Sequence, residues 1–150
     1  MELTRENFED FVGRLRHHNR GAGVNDHCTR DPLFVVQKRE RIYGLDGQYV
    51  DEYEWRNTDD SEREADDRMI GRLEALDDGG RDTAPWGKVY YADRWEYVCA
   101  HFTREGADAF IARKRHDYRE LRVYVDCQIY CWEYNAVIEG LLSGKIGFIE

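Results

Sequence analysis

The segment from residue 86 to residue 102 is the strongest strand signal in this chain and places the tightest limit on its fold. Its strand-forming side chains are Val89, Tyr91, Trp95, Tyr97, Val98 and Cys99. β-Branched and aromatic residues at this density suit the half-buried surface of a sheet. The segment therefore predicts a β-sheet, with Ala92-Asp93-Arg94 as a turn or bulge within it.

Helical and strand-like patterns alternate along the rest of the chain. The predicted helices cover Thr4 to Arg20, 61–76, a segment capped by Thr103, and Trp132 to Leu142. The other predicted strands cover 33–45, 48–56, 121–125 and a terminal strand at 145–150. This order predicts an α+β fold with a single mixed β-sheet packed with about four helices. No long linker is present, so residues 1–150 are expected to form a single domain.

The inward positions of these elements give the expected core. Its members are Phe8, Phe11, Leu15, Val35, Ile42, Val89, Tyr97, Phe110, Val123, Val137 and Leu141. Residues 57–85 are polar and bounded by glycine and proline, so they form an acidic excursion that we expect to be the most mobile internal part of the chain.

The net charge of −9 is concentrated in one quarter of the chain. Between Asp46 and Asp82 there are fourteen acidic residues and five arginines, and the remainder of the chain is balanced. Phosphates would be repelled from this side, which disfavours direct nucleic-acid binding. No apolar run could cross a bilayer, and the N-terminus lacks a signal peptide's apolar core, so the predicted location is the cytoplasm and no membrane partner is expected.

Motifs of catalysis and cofactor binding are missing from the sequence, which contains no GxSxG, HExxH, P-loop or GxGxxG pattern. The chain is therefore predicted not to be an enzyme and to need no cofactor. A remaining enzymatic alternative is Cys28 with His27, His101 or His116 brought close by folding. A zinc site at Cys127 and Cys131, completed by His101, Cys99 or the His27-Cys28 pair, is disfavoured because the spacing is unusual and the next pair is distant.

A basic stretch at the end of the third predicted helix offers one alternative contact surface. Basic residues are common at the end of a helix without any ligand, because their positive charge is favourable near the negative end of the helix dipole. The alternative is that they bind nucleic acid, and the residues concerned are Arg113, Lys114, Arg115, His116 and Arg119.

The acidic stretch provides the main candidate for a partner-binding surface. A capping-box pattern at Ser61 to Glu64 predicts a helix start, and Glu64, Asp67, Glu74 and Asp78 then share one arc of the helix. Their spacing alone is too sparse to copy a phosphate backbone. The preceding acids raise the density, so the candidate residues are Asp51, Glu52, Glu54, Asp59, Asp60, Glu64, Asp67, Glu74 and Asp78.

The stretch from Trp95 to Trp132 resembles a family of small accessory proteins encoded by phages and prophages of proteobacteria. It follows the pattern W-E-x-V-x-x-x-F-T-x-x-G-A, then a helix, a basic segment with histidine, and an aromatic-rich helix start. The resemblance extends over most of residues 27–140 except the acidic excursion. The chain departs from the family where Arg115-His116-Asp117-Tyr118 replaces N-G-H-N-L, and at Cys127 and Cys131, which are not cysteine in the family.

The resemblance implies a setting in an infected or lysogenic bacterial host. Phage accessory proteins of this size often inhibit host defences, and acidic ones often mimic nucleic acid; this step is an analogy. The leading hypothesis is thus a non-enzymatic inhibitor whose acidic surface binds the basic nucleic-acid-binding groove of a host complex, such as a CRISPR effector or restriction system. The alternative is a replication or recombination accessory protein that contacts nucleic acid through the basic stretch.

Overall fold

The computed structural model describes residues 2–27, 29–60 and 63–150. Its helices are α1 (Arg5–Arg20), α2 (Val24–His27), α3 (Asp67–Asp78), α4 (Arg104–Lys114) and α5 (Trp132–Leu142), with a short 3-10 helix at Arg115–Asp117. Its strands are β1 (Pro32–Tyr43), β2 (Tyr53–Asn57), β3 (Trp86–His101) and β4 (Leu121–Cys127). None of the helices in the described ranges is long and apolar enough to cross a membrane.

The four strands form one antiparallel sheet in the order β2-β3-β1-β4. The predicted α+β class, with a single sheet and about four helices, is confirmed, and the sheet predicted to be mixed is antiparallel. Strands β2 and β4 are the two edges of the sheet. The short strand predicted at 48–56 is thus an edge strand.

Contacts along the chain divide it into two compact units. Unit 1 comprises 1–39 with 95–150, and unit 2 comprises 40–94. The acidic excursion predicted at 57–85 lies within unit 2. That residues 1–150 act as a single domain stays a prediction.

Helix α1 begins and ends where local sequence signals place it. The Thr4 hydroxyl accepts a hydrogen bond from the Asn7 backbone N–H, and the Thr4 N–H donates one to Asn7 Oδ1 at 2.8 Å. Such reciprocal bonds satisfy backbone donors that the first helical turn leaves free. At the other end, Gly21 donates to the His17 carbonyl. Space for the Gly21 backbone is tight, since an added Cβ would lie 2.9 Å from backbone atoms of His17.

The core of unit 1 is built on one face of β1. Phe34 and Val36 are fully buried and pack with Ala107 of α4. Their directly opposite partners in β4 are Val125 and Val123, which point to the same face. A second cluster joins α1 and α5 through Leu15, Ile138 and Leu142.

The predicted core is partly right. Leu15 and Val35 are buried, and the half-buried members are Phe8, Phe11, Ile42, Val89, Phe110, Val123 and Leu141. Tyr97 and Val137 were predicted to be buried but are 66% and 44% exposed. Strand alternation explains Tyr97, because its neighbour Val98 packs against the Phe34 cluster and Tyr97 therefore points to the other face of β3.

The structure differs from two other expectations about strands. Of the turn or bulge expected at 92–94, the turn is absent, since the 16-residue strand β3 runs through these residues. Residues 145–150 do not form a strand. Instead, the Ile146 N–H bonds to the Gly140 carbonyl at 2.9 Å, so the chain folds back on the end of α5. The Ile146 side chain packs closely on Gly140, where an added Cβ would lie 2.6 Å from Ile146 Cδ1.

The acidic helix begins later than its sequence suggests. Asp66 caps α3 by accepting the Met69 N–H at 2.8 Å, so the helix starts at Asp67. Of the capping box predicted from Ser61 and Glu64, Ser61 lies outside the described residues. Glu64 forms a β-bridge with Arg56 and is therefore not part of the helix.

Candidate protein-binding surface

The candidate acidic surface lies in unit 2. The elements β2, α3 and the first part of β3 support it, and they are called the frame below. Strand β2 pairs with the first part of β3, with Tyr53 opposite Tyr90 and Asn57 opposite Trp86. Trp55 of β2 and Leu73 of α3 are almost fully buried. These contacts give the unit an apolar centre despite its acidic composition.

Glu74 attaches α3 to β2. Its Oε1 atom accepts hydrogen bonds from Tyr53 Oη at 2.6 Å and from Trp55 Nε1 at 2.8 Å. The bond from Tyr53, followed by that from Trp55, holds the pKa of Glu74 below its usual 4.5. A carboxylate that accepts two internal bonds has a structural role, so Glu74 serves the frame more than it serves an external partner.

Lys88 forms a second link to α3. Its Nζ atom lies 2.7 Å from Asp77 Oδ2 and 4.5 Å from the centre of the Tyr53 ring. The hydrogen bond with Asp77 is the main cause of the raised pKa of Lys88. The ammonium is therefore held in its charged form over an aromatic face, an arrangement that stabilises it further.

Arg41 organises the polar centre of unit 2. Its guanidinium makes two bonds to the Asp93 carboxylate, at 2.8 and 3.0 Å, and a third to Glu54 Oε1 at 2.7 Å. The guanidinium also lies 3.7 Å from the centre of the Tyr91 ring. The bond to Asp93 is the largest cause of the raised pKa of Arg41. This network lies where the sequence predicted a turn or bulge, and β3, which continues through this point, places Asp93 in it.

Glu54 is shared between two arginines. Arg56 Nη2 donates to Glu54 Oε2 at 2.8 Å and to Glu64 Oε1 at 3.1 Å. Burial acts to raise the pKa of Glu54, but the bonds from Arg56 and Arg41 outweigh it and hold the pKa below 4.5. Glu54 thus stays ionised, and the positive charges of Arg41 and Arg56 balance its charge.

The candidate acids therefore divide into two groups. Glu54 and Glu74 are half-buried and bonded within unit 2. The exposed group is Asp51, Glu52, Asp59, Asp60, Glu64, Asp67 and Asp78. Glu64 remains 66% exposed although it pairs with Arg56. The exposed acids come from several loops and both ends of α3, and the sequence alone did not separate them from the two internal acids.

The alternative basic residues lie in unit 1. Arg113, Lys114, Arg115, His116 and Arg119 are all exposed, at the end of α4 and in the segment that follows it. Lys114 and His116 both contact the Asp117 carboxylate, at 3.1 and 3.2 Å. Arg115, His116 and Arg119 also line a shallow groove beside Leu121. Asp117 lies in the middle of this basic stretch, and its negative charge reduces the attraction of the stretch for phosphate.

The thiols and histidines show no arrangement for nucleophilic catalysis among the residues described. Cys99 Sγ lies 3.3 Å from His101 Nε2, but burial raises the pKa of the thiol and lowers the pKa of His101. Both groups are thereby favoured in their neutral forms, which opposes thiolate formation. Cys28 lies outside the described residues. Within the described ranges, no group of three or more His, Cys, Asp or Glu side chains could hold a metal ion.

Acid titration of the internal carboxylates gives a testable consequence. Glu54 and Glu74 have lowered pKa values in the folded protein, so the unfolded chain binds more protons as the pH falls. Their stabilisation is present above pH 4.5 and is lost as the pH drops through the folded pKa values. In Glu74→Gln, the free energy of unfolding at pH 7 should fall by about 1 kcal/mol, because a charged acceptor becomes neutral.

Urea denaturation at pH 7 and pH 4 checks this expectation. The difference between wild type and Glu74→Gln should shrink at pH 4. An equal difference at both values would show that the Glu74 charge contributes nothing to stability.

Comparison with known proteins returned no match to any family, curated protein or solved structure.

Proposed function

We propose that this chain is a non-enzymatic, phage-encoded inhibitor that binds a basic nucleic-acid-binding groove of a host defence complex, such as a CRISPR effector or restriction system. The observation that carries this proposal is the charge distribution: fourteen acids stand against five arginines in residues 46–82. The phage-protein resemblance of residues 95–132 supports the setting. In an infected or lysogenic bacterium, the protein would act in the cytoplasm.

The packed frame of unit 2 supports the use of its exposed acids for binding. Arginine and lysine partners balance the charges of Glu54 and Asp77, and the Glu74 carboxylate is bonded inside unit 2, so these acids are less available to a partner than the exposed ones. The exposed acids keep their charge toward solvent and would steer the protein toward a cationic groove. Affinity should consequently fall as salt rises.

The arrangement of the acids differs from a single helical row. Only Asp67 and Asp78 of the predicted arc remain exposed on α3, since Glu74 points inward and Glu64 precedes the helix. Any resemblance to a phosphate backbone therefore depends on the loops that carry Asp51 and Asp59. The proposal requires a patch of negative charge from several segments.

Charge reversal tests the proposal. In a variant carrying Asp59→Lys, Asp60→Lys, Glu64→Lys and Asp67→Lys, affinity for the partner should fall at least about 100-fold, because like charges placed opposite each other cost several kcal/mol. Expression of the wild-type protein in bacteria with an active CRISPR or restriction system should raise phage plating. The variant should leave plating at the level seen without the protein.

A matched control keeps the number of reversals but moves them to unit 1. It replaces four exposed acids with lysine, namely Glu2, Glu6, Glu9 and Glu133. The control should still inhibit, and circular dichroism should show both variants folded. Full inhibition by the unit 2 variant would refute the acidic-mimic proposal. A mobility shift with single-stranded nucleic acid, lost when Arg113 and Arg115 are replaced, would support the basic-stretch alternative in its place.

A further inference from the structure

Strand β4 is an edge strand that carries two charged side chains but no proline to oppose pairing. It is last in the sheet order, and no other strand in the described residues pairs with its outer side. Its seven residues, Leu121–Cys127, contain neither proline nor glycine. Edge strands usually carry such residues, bulges or a covering element, because a free row of backbone groups recruits another strand.

The register of β4 against β1 shows which backbone groups point outward. Arg39 donates its N–H to the Glu120 carbonyl at 3.0 Å, and Gln128 donates to the Asp31 carbonyl at 2.9 Å. These bonds belong to one antiparallel ladder in which even-numbered β4 residues bond to β1. The backbone N–H and C=O groups that point to the free edge are therefore those of Leu121, Val123, Val125 and Cys127.

The side chains of β4 are complementary to themselves when the strand is reversed. The sequence LRVYVDC has Tyr124 at its centre, Arg122 two residues before it and Asp126 two residues after it. Reversal about Tyr124 places Arg122 opposite Asp126 and Val123 opposite Val125. Arg122, Tyr124 and Asp126 are exposed, and they share one face of the strand.

From these features we propose that β4 pairs antiparallel with β4 of a second copy of this chain, with Tyr124 on the two-fold axis. The backbone register agrees: Val123 and Val125 of the second copy would form a hydrogen-bonded pair, using the outward groups. Four such pairs would give about eight hydrogen bonds across the edge. The contact is isologous and closes after two copies.

Charge strengthens the choice of a second copy over an unrelated strand. Each Arg122 would face Asp126 of the other copy in a non-hydrogen-bonded pair, where side chains approach most closely. Arg122 is already positioned on this face, because its Nε donates to Gln37 Oε1 at 2.9 Å and its guanidinium lies 4.1 Å from the Trp95 ring centre. These contacts lie over β1 and β3, and Asp126 Oδ2 accepts from Gln128 Nε2 at 3.1 Å, so the pairing requires the Arg122 guanidinium to turn toward the free edge to meet Asp126 of the second copy. The proposal does not depend on the function proposed for unit 2.

A charge-swap experiment tests the pairing in the full chain. Sedimentation velocity over a concentration series should show wild-type protein approaching twice the 17.8 kDa chain mass. Arg122→Asp and Asp126→Arg each place like charges in opposition, so each should weaken dimerisation by about tenfold or more. The double variant, Arg122→Asp with Asp126→Arg, should restore most of the affinity. Arg113→Asp, outside the edge, should leave it unchanged.

A cross-linking experiment tests the position of the axis. In a background carrying Cys127→Ser and Cys131→Ser, Tyr124→Cys places two thiols across the axis, with Cα atoms about 4.5 Å apart, within disulfide range. Arg122→Cys places its two copies about 14 Å apart, beyond reach. Only the first should form a disulfide-linked dimer on mild oxidation. A strictly monomeric wild type, a double swap as weak as the singles, or equal cross-linking at both positions would overturn the proposal.

Discussion

Phe34→Ala should lower the free energy of unfolding by about 3–5 kcal/mol, one of the largest effects of any single substitution in this chain. Phe34 is fully buried and packs with Val36 and Ala107 at the centre of unit 1. Its ring also lies edge-on to His18 and His27, with centroids 5.0 and 5.3 Å away. Removal of the ring opens a cavity where the neighbours cannot easily collapse, because both sheet and helices contact it.

Thermal and urea denaturation of Phe34→Ala, followed by circular dichroism, measure this effect. The matched control is Tyr97→Ala, which also removes an aromatic ring from a strand, but at a site that is 66% exposed. The control should cost about 1 kcal/mol or less, as surface substitutions usually do. Equal losses in the two variants would contradict the placement of the core on the Phe34 face of β1.

The parts of the fold that were predicted from the sequence are those set by local signals. Thr4 and Gly21 bound α1 because capping bonds span only a few residues. Helix α5 runs from Trp132 to Leu142 as predicted. Thr103 caps α4 by accepting the Gly106 N–H, again as the sequence indicated. In each case, the residues that decide the boundary lie within one helical turn of it.

The parts that could not be predicted depend on partners far along the chain. Glu64 lies in a sequence that favours a helix, yet its backbone forms a β-bridge with Arg56. The acidic helix therefore begins at Asp67. Asp93 follows an alanine in a turn-like sequence, but its bonds to Arg41 hold it within β3. The hydrophobic periodicity of a sequence does not show that Asp93 bonds to Arg41, which lies 52 residues away. The same limit applies to the candidate surface. The composition shows which segment is acidic, but only the fold shows that Glu74 is hydrogen-bonded inside unit 2 while its acidic neighbours are exposed.

The frame that holds the acidic surface makes unit 2 depend on Arg41. Arg41→Met should lower the free energy of unfolding by about 3 kcal/mol, because Asp93 loses its paired bonds from Arg41 and Glu54 keeps the bond from Arg56 but loses the one from Arg41. The side chains of all three are only 15–25% exposed, so water compensates them in part, and the cost stays near the lower limit for a buried ion pair. Urea denaturation at pH 7 gives the measurement.

Two comparison variants identify the cause of that loss. Arg41→Lys keeps the charge but cannot make the paired bonds to Asp93, so its cost should be intermediate. Arg72→Met, at an exposed position on α3, should cost about 0.5 kcal/mol or less. The loss in Arg41→Met should also shrink as the pH falls below 4.5, since protonation of Glu54 removes one of the charges that Arg41 stabilises. If Arg41→Met were no more destabilising than Arg72→Met, the Arg41 network would not support unit 2, and its acids would be held in place by other contacts, such as those of Leu73, Glu74 and Lys88.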